Sequence, residues 1–219
     1  MYKFFLYTIL VIIYLGLAKT LSPSEIGVQY LQNERGFSKI VPGEEATLIL
    51  VDTHATGFLI KTYYQKYRLI STMDTVEEII VRTSREFAKR NMKFIGLSIY
   101  RRNHEKEEFL PQAPGSLYVG NREYGEWREN KKGVLKWRFA KAFKNYPNYL
   151  GWGKFRPTQE FADGYKNSAT TNKPYFGLKH EFGPEGRITR ENFPHFFKDE
   201  RMKKVDMKTL LIDYFKENF

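Results

Sequence analysis

The chain begins with an uncharged apolar run, Phe4 to Ala18 (FFLYTILVIIYLGLA), with Lys3 before it and Lys19 after it. Its fifteen residues fall short of the ~20 that a membrane span needs and match the hydrophobic region of an export signal. Gly16 and Ala18 place small residues where a signal peptidase cleaving after Ala18 requires them. Residues 1–21 are therefore expected to be a signal peptide or, uncleaved, an N-terminal membrane anchor. The competing reading is a hydrophobic element buried in a core. Residues 22–219 are read as a single domain.

After the leader the periodicity changes repeatedly. Ser22-Pro23-Ser24-Glu25 carries an N-cap, a proline at the first helical position and a capping-box glutamate. It predicts a helix to about Arg35 with Ile26, Tyr30 and Leu31 inward, stopped by Gly36. Ala46 to Val51 reads as a short buried strand, and Phe58 to Ile70 as a longer, partly exposed strand pairing with it. Thr75 to Glu78 is a second capping box, and Val76, Ile79, Ile80, Thr83 and Phe87 recur at helical spacing, predicting a helix to about Arg90. Lys93 to Arg101 returns to a strand with Ile95, Leu97 and Ile99 on one side, and Arg101 to Glu108 (RRNHEKEE) reads as a solvated turn. This order specifies an α+β fold: a mixed sheet with flanking helices, followed by a long loop-rich aromatic segment.

Glycines and turns interrupt that segment from Tyr118 to Gly183. Gly120 to Glu129 predicts a turn or hairpin. Val134 to Phe143 fits a short amphipathic helix with Leu135, Phe139 and Phe143 inward and Trp137 outward. Tyr146 to Pro157 is irregular. Thr158 caps a short helix that ends at Gly164 or Tyr165, Lys166 to Lys173 is a polar tip, and Tyr175 to Gly183 reads as a strand. A helix capped by Thr189 follows. The chain closes on a helix capped by Asp206, with Met207, Leu210, Leu211, Tyr214 and Phe215 on one face.

Composition narrows the functional classes. The net charge of +11 over 219 residues favours anionic partners: nucleic acid, phospholipid headgroups or acidic wall polymers. The leader argues against nucleic acid. With no cysteine, disulfides, thiolate metal sites and cysteine nucleophiles are excluded. The absence of both cysteine and any N-x-S/T sequon leans toward a bacterial source. No P-loop, dinucleotide fingerprint, nucleophile elbow or H-E-x-x-H motif is present, so no cofactor is expected.

Tyr118 to Gly183 holds all three tryptophans, twelve further aromatic residues, and thirteen Lys or Arg against six Asp or Glu. Rings stack on sugars and bases while cations hold carboxylates or phosphates. Arg122, Tyr124, Trp127, Trp137, Tyr149, Trp152, Lys154 and Arg156 are thus the candidate ligand-binding residues, provided the rings lie at the surface. The alternative is that they fasten a long loop to the sheet. Glu123, Glu126, Glu160 and Glu181 are candidate catalytic carboxylates, because a glycoside hydrolase needs one acid and one base or nucleophile beside stacking rings. Ion pairing with Arg122 and Arg128 explains the first two equally well. Asp52, His54 and His180 could together hold a metal, although each has a plain structural explanation.

The expectation is an exported bacterial cell-envelope protein that binds an anionic glycan or cell-wall polymer without turnover. It would be extracytoplasmic, whether periplasmic, secreted or membrane-associated through residues 4–18. The alternatives are a glycan hydrolase using paired carboxylates and a structural component of a membrane complex.

Overall fold

The computed structural model describes residues 2–20, 28–56, 61–71, 76–104 and 106–198, with backbone alone at 16–20, 195 and 198. Helix α1 (Tyr2–Thr20) carries the leader, and every described side chain on it, from Tyr2 to Leu15, is exposed. Among the described residues no helix is long and apolar enough to cross a membrane.

The body is built on a six-stranded mixed sheet ordered β1 (Tyr30–Leu31), β4 (Val76–Thr83), β3 (Thr62–Ser71), β2 (Glu45–Thr56), β5 (Ser98–Asn103) and β6 (Lys106–Glu108). Every pairing is antiparallel except β1 with β4. Central β2 is buried continuously from Ala46 to Leu50 because both faces of the sheet are covered, and a strand covered on both faces reads as an unbroken apolar run. On one face Leu48, Leu50, Tyr67 and Leu69 pack with Phe37 of α2 (Phe37–Ile40) and Phe87 of α3 (Arg85–Asn91). Ile49 and Ile70 belong to a second cluster, made with the aromatic segment.

That segment, continued by the residues after it to Lys198, is a second layer laid over the sheet. It consists of the hairpin β7 (Gly125–Glu129) and β8 (Leu135–Phe139), a one-turn helix α4 (Tyr146–Tyr149), α5 (Gln159–Thr171), α6 (Arg187–Asn192) and α7 (Pro194–Lys198). The α+β class with a mixed sheet, flanking helices and an aromatic-rich segment is as expected.

Several local expectations are corrected. Tyr30 and Leu31 are a strand, so no helix runs on to Arg35; Arg82 N donates to Gln29 O and draws the chain onto the sheet edge. Residues 76–83 form β4, not a helix. Val76, Ile79, Ile80, Val81 and Thr83 are β-branched and lose rotamer freedom in a helix, while the outer edge of β3 offers them a full ladder. The cap lies later, where Ser84 Oγ accepts from Phe87 N at 3.1 Å.

The 93–101 strand starts only at Ser98. The charged turn that follows is a hairpin arm, with Arg101 fully buried. Residues 134–143 are β8 and a 3-10 turn at Lys141–Phe143. Helix α5 continues past Gly164 to Thr171, absorbing most of the expected tip, and stops at Asn172 in the left-handed region. Residues 175–183 are irregular apart from a bridge between Gln112 and Tyr175. Thr189 sits buried inside α6 instead of capping it. The helix expected after Asp206 and the start signal at Ser22 lie outside the described residues.

Candidate functional site

Alternation along β7 and β8 sorts the hairpin into a ring face and a charged face. Trp127 stands directly opposite Trp137, their ring centroids 5.2 Å apart in an edge-to-face arrangement that suits the aromatic quadrupoles. Trp137 is 1 % exposed and leans on Phe139, which in turn packs on Tyr146 and Trp152. Trp152 is equally buried, and its indole Nε1 donates to Pro114 O at 2.9 Å. Tyr118, Tyr124 and Tyr146 form a contiguous cluster. Of the expected ligand-binding rings, Tyr124, Trp137 and Trp152 therefore face inward, and only Trp127 and Tyr149 remain partly exposed. The expected outward Trp137 is corrected, because strand alternation turns it onto the sheet.

The opposite face carries charge. Glu126, Arg128, Lys136 and Arg138 are all exposed; Glu126 stands across from Arg138, and Arg128 across from Lys136. Arg128 spends its guanidinium on Glu126 of its own strand, with Nε donating at 2.6 Å. Lys136 and Arg138 are left without an ion pair among the described residues. Two like charges directly opposite destabilise a ladder, so this face is not arranged for stability.

At the tip, Asn130 Oδ1 accepts from Lys132 N and Val134 N, closing the turn with Lys131 and Lys132 in solvent. The stretch 156–158 runs beside β8: Trp137 N donates to Pro157 O at 2.9 Å, and Lys136 bridges to Thr158. This places Arg156 near Arg138. Burial lowers the Arg156 pKa and the Arg138 charge lowers it further, and Arg156 Nη1 donates to Gly153 O and Phe155 O.

From Arg122 to Arg156 there are ten lysines and arginines against three glutamates, a net of +7, equal to the net charge of the whole aromatic segment. Lys141, Lys144 and Lys154 are exposed around the same structure, as is Arg122. Arg122, Arg156 and Lys154 were legible as cations. The ribbon residues Lys131, Lys132, Lys136 and Arg138 were missed as site residues because a helical reading scatters them. The signal that could have found them is the period of two in Leu135, Trp137 and Phe139.

A groove of about 530 Å³ brings Trp152 and Lys154 beside Phe155, Arg187, Glu191 and Asn192. Arg187 and Glu191 pair across one turn of α6 at 2.7 Å. None of the four candidate carboxylates lines it. Glu123 is exposed in the turn before β7, Glu126 is held by Arg128, and Glu160 is exposed on the first turn of α5. Glu181 Oε2 accepts from Lys179 N at 2.9 Å.

His54 stacks on Tyr64 in the sheet and His180 on Phe176 in the second layer. Among the described residues no three His, Asp or Glu side chains gather as metal ligands, so the site imagined from Asp52, His54 and His180 is not formed.

Compared with protein-family models, with curated proteins and with solved structures, the chain shows no significant match to any.

Proposed function

We propose that this chain is a cell-envelope protein, exported or held at a membrane by its N-terminal segment, that binds an anionic glycan or cell-wall polymer without turning it over. The recognition element is the charged face of the β7–β8 ribbon, and binding proceeds by ion pairing. The buried rings act from beneath. They fix the ribbon rigidly to the sheet, so that its cations are pre-positioned and little side-chain or loop entropy is lost on binding. An extended ribbon with cations at two-residue spacing along β8, continued by the lysines of its tip, suits a repeating anionic chain better than a small molecule.

The observation that carries this reading is Lys136 and Arg138 standing on β8 without an ion pair among the described residues, beside the Lys131-Lys132 tip and with Arg128 across from Lys136. The exposed apolar side chains of α1 support a membrane or export role, since isolated apolar surface of that extent calls for cover.

The test is cosedimentation of the full chain with purified anionic wall polymer across a salt series. Binding is expected at low ionic strength and should weaken as salt screens the contacts over a Debye length of ~10 Å or less. The triple change Lys131→Glu, Lys132→Glu and Lys136→Glu should abolish it, while Trp127→Phe should leave it nearly intact. Retention by the triple variant would overturn the proposal.

A further inference from the structure

Away from the ribbon, where β1, β4 and β3 lie side by side, a second groove opens with a volume of about 750 Å³. Register explains which residues meet there. Tyr30 of β1 pairs with Arg82 of β4 and Tyr63 of β3 pairs with Thr83, so Tyr30 and Arg82 share one face and Tyr63 and Thr83 the other, and the groove wraps the end of the sheet between them. Lys61 enters from the start of β3 and Arg85 from the start of α3.

Among the described residues the groove thus holds three cations, Lys61, Arg82 and Arg85, and no carboxylate. All three are exposed, and none makes an ion pair or side-chain hydrogen bond to another described residue. The Arg82 guanidinium lies over the Tyr30 ring, 5.5 Å from its centroid, which leaves its N–H edges free to donate. A cation on the first turn of a helix is opposed by the backbone dipole, so Arg85 is not there to stabilise α3.

We propose that this groove is a binding site for a phosphorylated ligand. Two guanidinium groups and an ammonium around one concavity match the charge and the several acceptor oxygens of a phosphoryl group better than a single carboxylate. The volume lies in the range of small-molecule sites. The Tyr30 ring beside Arg82 offers an apolar surface for whatever carries the phosphate. The shared chemistry is the phosphate; its carrier is either a soluble small molecule or a lipid headgroup. This site does not depend on the cationic ribbon.

The test is calorimetric titration of the full chain, held in a non-ionic detergent, with inorganic pyrophosphate. One-to-one saturable binding is expected, weakened at least tenfold in the double variant Arg82→Gln, Arg85→Gln. The ribbon change Lys131→Glu, Lys132→Glu should leave it unaltered. Arg82 and Arg85 are exposed, so glutamine preserves the backbone pairing, and an unchanged Tm verifies this.

A second arm measures flotation with phosphatidylglycerol vesicles in the presence and absence of pyrophosphate. Vesicle binding that pyrophosphate displaces and that the arginine variant loses identifies a headgroup as the carrier. Pyrophosphate binding without vesicle binding identifies a soluble carrier. No saturable binding, binding undiminished in the arginine variant, or equal loss in the ribbon variant would each overturn the proposal.

Discussion

The Tyr124 hydroxyl donates to the Glu45 carboxylate at 2.5 Å, joining residues 79 positions apart in sequence. Glu45 is the first residue of the central strand and Tyr124 immediately precedes the ribbon, so this contact sets where the ribbon stands on the sheet. The Tyr124 ring is packed 5.0 Å from Tyr118 and 4.8 Å from Phe143, which orients the hydroxyl. Tyr124→Phe keeps the packing and removes the donor. It should cost about 1.5–3 kcal/mol, the usual range for a hydrogen bond to a charged group. Urea denaturation of the two proteins measures it, and a change within experimental scatter would show that the contact carries no weight.

The same layer predicts how the protein fails in alkali. Burial pushes up the phenol pKa values of Tyr67, Tyr118 and Tyr165; at Tyr124 burial and then the Glu45 carboxylate do so; Tyr100 is pushed up to about 12 by burial and its hydrogen bond to Glu107. In the unfolded chain these phenols ionise near pH ~10. A raised pKa in the fold means that this stability is complete below about pH 10 and is lost as pH rises through the folded values. The buried phenols should therefore ionise together with unfolding. Following phenolate absorbance and near-UV circular dichroism on one sample checks this, because a rise in phenolate absorbance from these residues well ahead of the dichroism change would contradict it.

In acid the sensitive contact is on β5. Arg101 is fully buried, yet its guanidinium is satisfied by Ser98 O, Leu110 O and the Glu108 carboxylate. Partial burial raises the Glu108 carboxyl, but Lys106 and Arg101 outweigh this, and the net pKa lies below the ordinary glutamate value. The stability it contributes is present above pH ~4.3 and is lost as pH falls through the folded value. Glu108→Gln should cost about 1–3 kcal/mol near neutrality. That is less than a fully buried pair because Glu108 is partly in water. The difference from the parent should shrink on acidification, so thermal melts at neutral and acid pH that keep the same gap would count against this account.

Gly164 sits within α5, where a Cβ would run into the ring of Tyr175. Tyr175 itself is fixed, with its hydroxyl donating to Phe161 O at 3.0 Å. An alanine in a helix interior ordinarily gains up to ~1 kcal/mol over glycine. Here overpacking should reverse the sign, and Gly164→Ala is expected to destabilise by about 1–3 kcal/mol. A higher Tm for the variant would refute the close approach.

These residues also show why the chain was only partly legible. The pairing of β2 with β3, the turn that leads from Gly120 into β7 and the Thr158 cap, whose Oγ1 accepts from Phe161 N, were readable because each is set by neighbouring residues. Gly164 looked like a stop because glycine permits one; what keeps it small is Tyr175, eleven positions away. Residues 134–143 contain two periods at once, Leu135–Phe139–Phe143 for a helix and Leu135–Trp137–Phe139 for a strand. The choice falls to Trp127, which supplies a cross-strand partner. Val76 to Thr83 was read as a helix from its spacing of three and four, and the open edge of β3 makes it a strand. The direction of the rings was the costliest omission for function, since aromatic content says nothing about which side of a layer it faces.

The two outermost strands of the sheet are only two and three residues long. A long bare strand flank is an invitation for another copy of the chain to add itself by main-chain bonding, the first step toward fibres. Here Lys106 and Glu107 guard one flank with opposite charges, but β1 covers only Arg82 and Thr83 of β4, so among the described residues the outer edge from Val76 to Val81 stands bare, with Val76 and Ile80 exposed along it. In a concentrated stock, that stretch of β4 is where copies of the chain would first stitch together.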